Sequence, residues 1–157
     1  MNNQNYTATF MVDQSPEEVF KAVTNVRGWW GENVNGSTEK EGGEFVYEVP
    51  GVHRSVQKVT EVIPNKKVVW LVTESNMTFI SDPKEWVGTR IVFTIAEENG
   101  KIKLTFVHEG LKPEVECYKF CKPAWDQYIK GSLYKLITTG EGTPNLEGKT
   151  IEKPAEV

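Results

Sequence analysis

The residues best equipped for chemistry in this 157-residue chain are two histidines and two cysteines. His108 closes an alternating apolar run, Ile102, Leu104 and Phe106. A period of two puts it on their strand face. There a neutral imidazole can donate to, or accept from, a bound molecule. A backbone group at the sheet edge can equally satisfy it, since a buried polar ring needs some partner. Glu109 faces the opposite side of the strand, so the two are poorly placed as an acid–base pair. Cys117 and Cys121 stand four residues apart, on one face of a helix. Together with His108 they suggest zinc, but a structural site takes four ligands. His53 is the one remaining soft ligand, and nothing in the sequence places it nearby. The i,i+4 helical spacing directs the Cβ vectors poorly for a disulfide, so free thiols are expected. No Ser-His-Asp order, glycine-rich phosphate loop or inward carboxylate pair stands out. The sequence therefore nominates no catalytic residue, no metal site and no cofactor.

Aromatic rings are the stronger functional signal. The chain has five Trp, five Tyr and seven Phe, enough to line a pocket as well as fill a core. Trp30, Phe45, Tyr47, Trp70, Trp86, Phe93, Phe106, His108, Tyr118 and Trp125 are the candidate ligand-binding residues. Ligand pockets are mostly apolar, with a few polar groups that fix orientation. Tyr47, His108 and Tyr118 can supply those groups. The competing reading is a solid core, which large rings also build well. Trp29 and Trp30 cannot both face inward on one helix, so one of them is expected to be exposed or at a pocket mouth.

These residues must be positioned by recognisable elements. Residues 6–13 alternate as a strand. Ser15-Pro16-Glu17-Glu18 reads as a capping box with proline in the first turn, and Val19, Phe20, Val23 and Val26 follow at helical spacing. The helix is expected to break near Gly28, ahead of a short segment carrying the two tryptophans. Residues 31–43 read as a loop. Strands follow from Glu44, from His53 to Ile63 and around Val68 to Val72, with a short further strand expected over Met77–Ser81. Residues 88–109 form the clearest hairpin, turned by Asn99-Gly100, where both positions tolerate positive φ. A final helix runs to about Thr139, with Trp125, Ile129, Leu133, Leu136 and Ile137 as its apolar stripe. Pro123 is expected to bend or restart it, and Gly140 to stop it.

One domain fits this length. It is expected to span residues 1–144, with a polar tail over 145–157. A net charge of −4, with acids and bases intermixed, argues against nucleic acid as a partner. The longest apolar run is Val68-Val69-Trp70-Leu71-Val72, far short of a membrane span. The first residues lack the basic and apolar regions of a signal peptide, so a cytoplasmic location is expected. Amphipathic strands followed by a striped helix imply an α+β layer arrangement, with the helix covering one sheet face. A cavity can remain beneath it.

Several motifs, in order, resemble the START-like (SRPBCC) superfamily. They are Val12-Asp13-Gln14-Ser15-Pro16-Glu17-Glu18-Val19-Phe20, Trp29-Trp30-Gly31, Gly42-Gly43-Glu44-Phe45, Gly88-Thr89-Arg90-Ile91, His108-Glu109-Gly110-Leu111 and Thr139-Gly140-Glu141-Gly142-Thr143-Pro144. Within it, the chain is similar to the branch named after the activator of the heat-shock protein 90 ATPase. The resemblance covers about residues 6–144. It implies a helix-grip fold: a curved antiparallel sheet of six to seven strands wrapped around a long C-terminal helix, with a short helical pair after the first strand. It implies binding of a small hydrophobic or amphipathic molecule between sheet and helix, as a monomer or homodimer. The alternatives that it carries are a protein-interaction module acting on a chaperone and a small-molecule cyclase or hydrolase. The branch's co-chaperone has a separate N-terminal domain, which a chain of this length is not expected to carry.

Overall fold

The computed structural model describes residues 5–144; the expected polar tail lies outside the described residues. Strand β1 (Tyr6–Val12) leads into helix α1 (Pro16–Thr24). The capping box closes α1 in both directions: Ser15 Oγ accepts the Glu18 amide, and the Glu18 carboxylate accepts the Ser15 amide. A 3₁₀ turn, Val26–Gly28, carries the chain to the two tryptophans. The strands β2 (Asn35–Gly36), β3 (Glu44–Val49), β4 (His53–Ile63), β5 (Lys67–Met77), β6 (Arg90–Glu98) and β7 (Lys101–Glu109) follow. They form one antiparallel sheet in the order β1-β7-β6-β5-β4-β3-β2.

The short strand expected over Met77–Ser81 is not separate. Met77 ends β5, and the chain then turns, with the Thr78 amide bonded to Val52 O and the Met77 amide to Pro83 O. The expected loop over 31–43 contains the two-residue β2, paired to β3 at the sheet edge. The β6–β7 turn has Asn99 and Gly100 at φ 55° and 80°, as a type I′ hairpin requires. Two register shifts interrupt the β4–β5 ladder, at Val56/Gln57 and Val59/Glu61. Bulges of this kind bend the strand that carries them, and they curve the sheet at its longest pair.

The final helix crosses the inner sheet face in three parts. Helix α2 (Tyr118–Trp125) runs through Pro123 without stopping. A π-helical segment, Asp126–Leu133, follows, and α3 (Tyr134–Thr139) completes it. Gly140 ends it in the left-handed conformation at φ 90°. Tyr128 with Ile129 and Ser132 with Leu133 are buried in adjacent pairs, the i+3 and i+4 positions from Trp125 and Ile129. Tyr6 Oη donates to Asp126, tying β1 to that segment. Ser132 Oγ donates to Trp29 O and accepts the Thr143 amide, tying it to the tryptophan segment and to the chain beyond α3. This is an α+β helix-grip fold. No helix among the described residues is long and apolar enough to cross a membrane.

Candidate functional site

A cavity of about 250 Å³ opens between the β3–β4 end of the sheet, the β5–β6 connection and helix α2. Strand β3 contributes Tyr47 and Val49, and the turn into β4 contributes Val52 and His53. Phe79 and Trp86 come from the β5–β6 connection. The helix supplies Phe120, Cys121, Pro123, Ala124, Trp125, Gln127 and Tyr128, and Trp30 reaches in from the segment after α1. No Asp, Glu, Lys or Arg stands in this wall.

Five of the wall residues close a circuit of ring contacts. Trp30 stacks on Tyr47 at 4.1 Å. Tyr47 meets His53 edge-on at 5.2 Å, and His53 meets Trp86 edge-on at 4.9 Å. Trp86 lies parallel to Trp125 at 5.9 Å, and Trp125 returns to Trp30 at 5.1 Å. Such pairs add to the apolar burial that already holds the rings. Tyr47 Oη and Tyr128 Oη lie 3.4 Å apart across the circuit.

The candidate residues divide accordingly. Trp30, Tyr47, Trp86 and Trp125 stand in the cavity wall. Phe45, Trp70, Phe93 and Phe106 form the layer behind it and do not face the cavity. Trp70, for example, packs edge-on to Phe45 at 4.8 Å and to Phe93 at 5.0 Å. Tyr118 is also outside the wall: it is half-buried on the first turn of α2. His108 is fully buried and works behind the rings. Its Nδ1 accepts Trp125 Nε1 at 3.0 Å, while its Nε2 lies 2.9 Å from Thr89 Oγ1. Thr89 in turn donates to Trp86 O. An Nδ1 that accepts carries no proton, so neutral His108 is protonated on Nε2 and donates to Thr89. Burial, and then the nearby His53, hold its pKa down to about 3. His108 thus fixes the position of Trp125, and through Thr89 the segment that carries Trp86.

Two further expectations meet the structure. Neither Trp29 nor Trp30 is exposed, at 0% and 2%, but Trp30 lines the cavity, the second of the two placements expected for one of the pair. They lie beyond the end of α1, where the helical constraint on adjacent side chains no longer holds, and their rings stack at 6.1 Å. Trp29 Nε1 donates to Val23 O. Cys117 and Cys121 are not free thiols but bonded to each other. Cys117 precedes α2 as its cap residue, and the two Cα atoms are 5.6 Å apart, within the span that a disulfide bridges. With the sulfurs joined and both His108 nitrogens engaged, that trio has no free ligand atoms to offer a metal.

The sequence reading missed His53 as a wall residue and missed Tyr128. His53 begins an inward-facing polar row on β4, followed by buried Ser55 and Gln57. The alternation His-x-Ser-x-Gln inside a strand was the available signal. His53 Nε2 lies 2.9 Å from Ser55 Oγ, which accepts Gln57 Nε2 at 2.6 Å. Burial holds the His53 pKa down to about 3, so the imidazole is neutral at physiological pH. It remains half-buried by surface measure because one side of the ring faces the cavity.

The β5–β6 connection and the start of α2, each of which contributes wall residues, are joined by a reciprocal clamp. The Glu85 carboxylate, on the β5–β6 connection, accepts the Glu116 and Cys117 amides just ahead of α2. The Glu116 carboxylate accepts the amide and the hydroxyl of Ser81. The two segments are therefore positioned against each other by charge-assisted bonds.

Comparison with solved structures gives the same fold. The solution structure of the Aha1 dimer from Colwellia psychrerythraea superposes with a TM-score of 0.72 at 23% identity, over 89% of this chain and 100% of that one. The protein SSP2350 from Staphylococcus saprophyticus gives 0.65 at 15% identity, over 91% and 98%. DynU16, a putative protein in the dynemicin biosynthetic locus, gives 0.65 at 15%, over 90% of this chain and 49% of its own. A comparison with curated proteins finds no match. Residues 13–138 match the family described as "Activator of Hsp90 ATPase homolog 1-like protein", and the chain belongs to that family.

Proposed function

We propose that this domain binds a small apolar or amphipathic molecule in the cavity between sheet and helix, without transforming it. The observation that carries this reading is the closed circuit of Trp30, Tyr47, His53, Trp86 and Trp125 around an open space of about 250 Å³. That volume lies just under the range of about 300–1,000 Å³ common for ligand sites, so it suits a compact molecule. A protein optimised only for stability fills such space, because interiors pack densely and voids cost free energy. The wall offers no nucleophile with an adjacent base. His53, its one imidazole, is neutral and bonded to a serine within the sheet.

Native mass spectrometry of freshly purified protein, followed by solvent extraction, tests this. A stoichiometric adduct that is lost on unfolding is expected, and extraction gives its chemical class. Protein without an adduct that also fails to take up any apolar probe overturns the reading. A second reading is a protein-interaction module that acts on a chaperone as a monomer or homodimer. It is favoured by the structural likeness to the Colwellia Aha1 dimer. Absence of both complex formation and ATPase stimulation with purified chaperone removes it.

A further inference from the structure

The polar row on β4 determines what kind of molecule the cavity takes. Ser55 Oγ has two close partners, and the Gln57 amide donates to it. With the Gln57 amide oriented so that Nε2 donates, which leaves Gln57 Oε1 buried without a partner among the described residues, the acceptor that remains for the Ser55 hydroxyl is His53 Nε2. An accepting Nε2 places the imidazole proton on Nδ1. Nδ1 makes no hydrogen bond among the described residues, and its ring stands in the cavity wall. Beside it in the ring circuit, the Trp86 indole N–H also has no acceptor among the described residues, but that nitrogen is itself buried and does not open onto the cavity. Buried donors are normally paired, because an unpaired one forfeits its hydration. The lining therefore presents one donor, His53 Nδ1, to aromatic surroundings that contain no ionised side chain. An ion entering this space would lose its water with no counter-charge to replace it.

We propose that the Gln57–Ser55–His53 relay makes the cavity selective for an uncharged aromatic molecule bearing a hydrogen-bond acceptor, which receives the His53 Nδ1 proton in a hydrogen bond. This rests on the cavity being a ligand site, and the test separates the two. The probes are 2-acetylnaphthalene, its acceptor-free counterpart 2-ethylnaphthalene and the anion 2-naphthoate, titrated against the full chain by intrinsic tryptophan fluorescence. The quantity read is the ratio of Kd for the ethyl compound to that for the ketone. Comparing this ratio between variants cancels the difference in hydrophobicity between the probes. His53→Phe keeps the ring and removes the donor, so the ratio is expected to fall about tenfold, the worth of one well-made hydrogen bond. Ser55→Ala, which unfixes the tautomer and leaves the ring in place, lowers it by a smaller factor. Side-chain ¹⁵N shifts of the unliganded protein are expected to show His53 protonated on Nδ1. An unchanged ratio in both variants, tighter binding of naphthoate than of the ketone, or an Nε2-protonated His53 overturns the proposal. In each case measurable binding of the ethyl compound leaves the ligand-site reading standing. Failure of all three probes to bind, in protein that also carries no adduct by native mass spectrometry, ends both.

Discussion

At the residue scale, the two histidines show how burial decides chemistry. Both imidazoles have pKa values held down to about 3 by loss of hydration, with His53 adding repulsion at His108. An unfolded chain protonates them near pH 6.5. Below that value unfolding takes up protons, so the stability is complete above about pH 6.5 and drains away as pH falls toward 3. Each group removes stability progressively through that window, on the order of 1 kcal/mol per pH unit. Urea titrations at pH 7, 6 and 5 should show this decline. His108→Phe should cost about 1–3 kcal/mol at pH 7, because Trp125 Nε1 loses its acceptor. It should also shed about half of the pH slope that the two histidines create. A slope indifferent to the substitution would show that His108 titrates normally in the fold. His108 was legible as an inward-facing group, because strand alternation is local. Its partners were not, since Trp125 and Thr89 come from a distant helix and from the strand entry opposite.

At the element scale, helix α2 lacks a side-chain cap of its own. Glu85 replaces it from the β5–β6 connection, placing negative charge at the amides that open the helix. Glu85→Ala is expected to cost about 1 kcal/mol, as for loss of a helix cap. It should raise hydrogen exchange at the amides of residues 116–121 without affecting β6 and β7. Uniform protection in the variant would mean that the clamp does not hold the helix. Elements set by neighbouring residues were readable in advance: the Ser15–Glu18 box, the Asn99-Gly100 turn and the Gly140 stop each need only a few adjacent positions. The π-helical segment was not. The apolar stripe Trp125, Ile129 and Leu133 gives no sign of its changed hydrogen-bond register, whereas Tyr128, three residues after Trp125, shares the stripe's face at ordinary helical spacing and was readable. The Glu85 clamp was equally hidden, because it joins segments about thirty residues apart and a half-buried loop glutamate carries no pattern.

For the whole molecule, the central question is whether sheet and helix enclose space or merely meet. The aromatic composition foretold a ring-rich interior, but rings suit both outcomes, and only their placement separates Trp30, Tyr47, Trp86 and Trp125 at the wall from Phe45, Trp70, Phe93 and Phe106 behind it. Ala124 distinguishes the alternatives experimentally. It is half-buried on α2 and lines the cavity. Ala124→Leu adds three carbon atoms directed at that wall. If the space is open, the larger side chain enters it and gains up to about 2 kcal/mol from apolar burial. The same substitution occupies ligand volume, so affinity for 2-ethylnaphthalene should fall while the thermal midpoint holds or rises. A closed, fully packed interface responds the opposite way: overpacking costs about 1–3 kcal/mol, and there is no binding to lose. Stability and affinity therefore move in opposite directions for a cavity, and that opposition distinguishes it from simple damage to the fold.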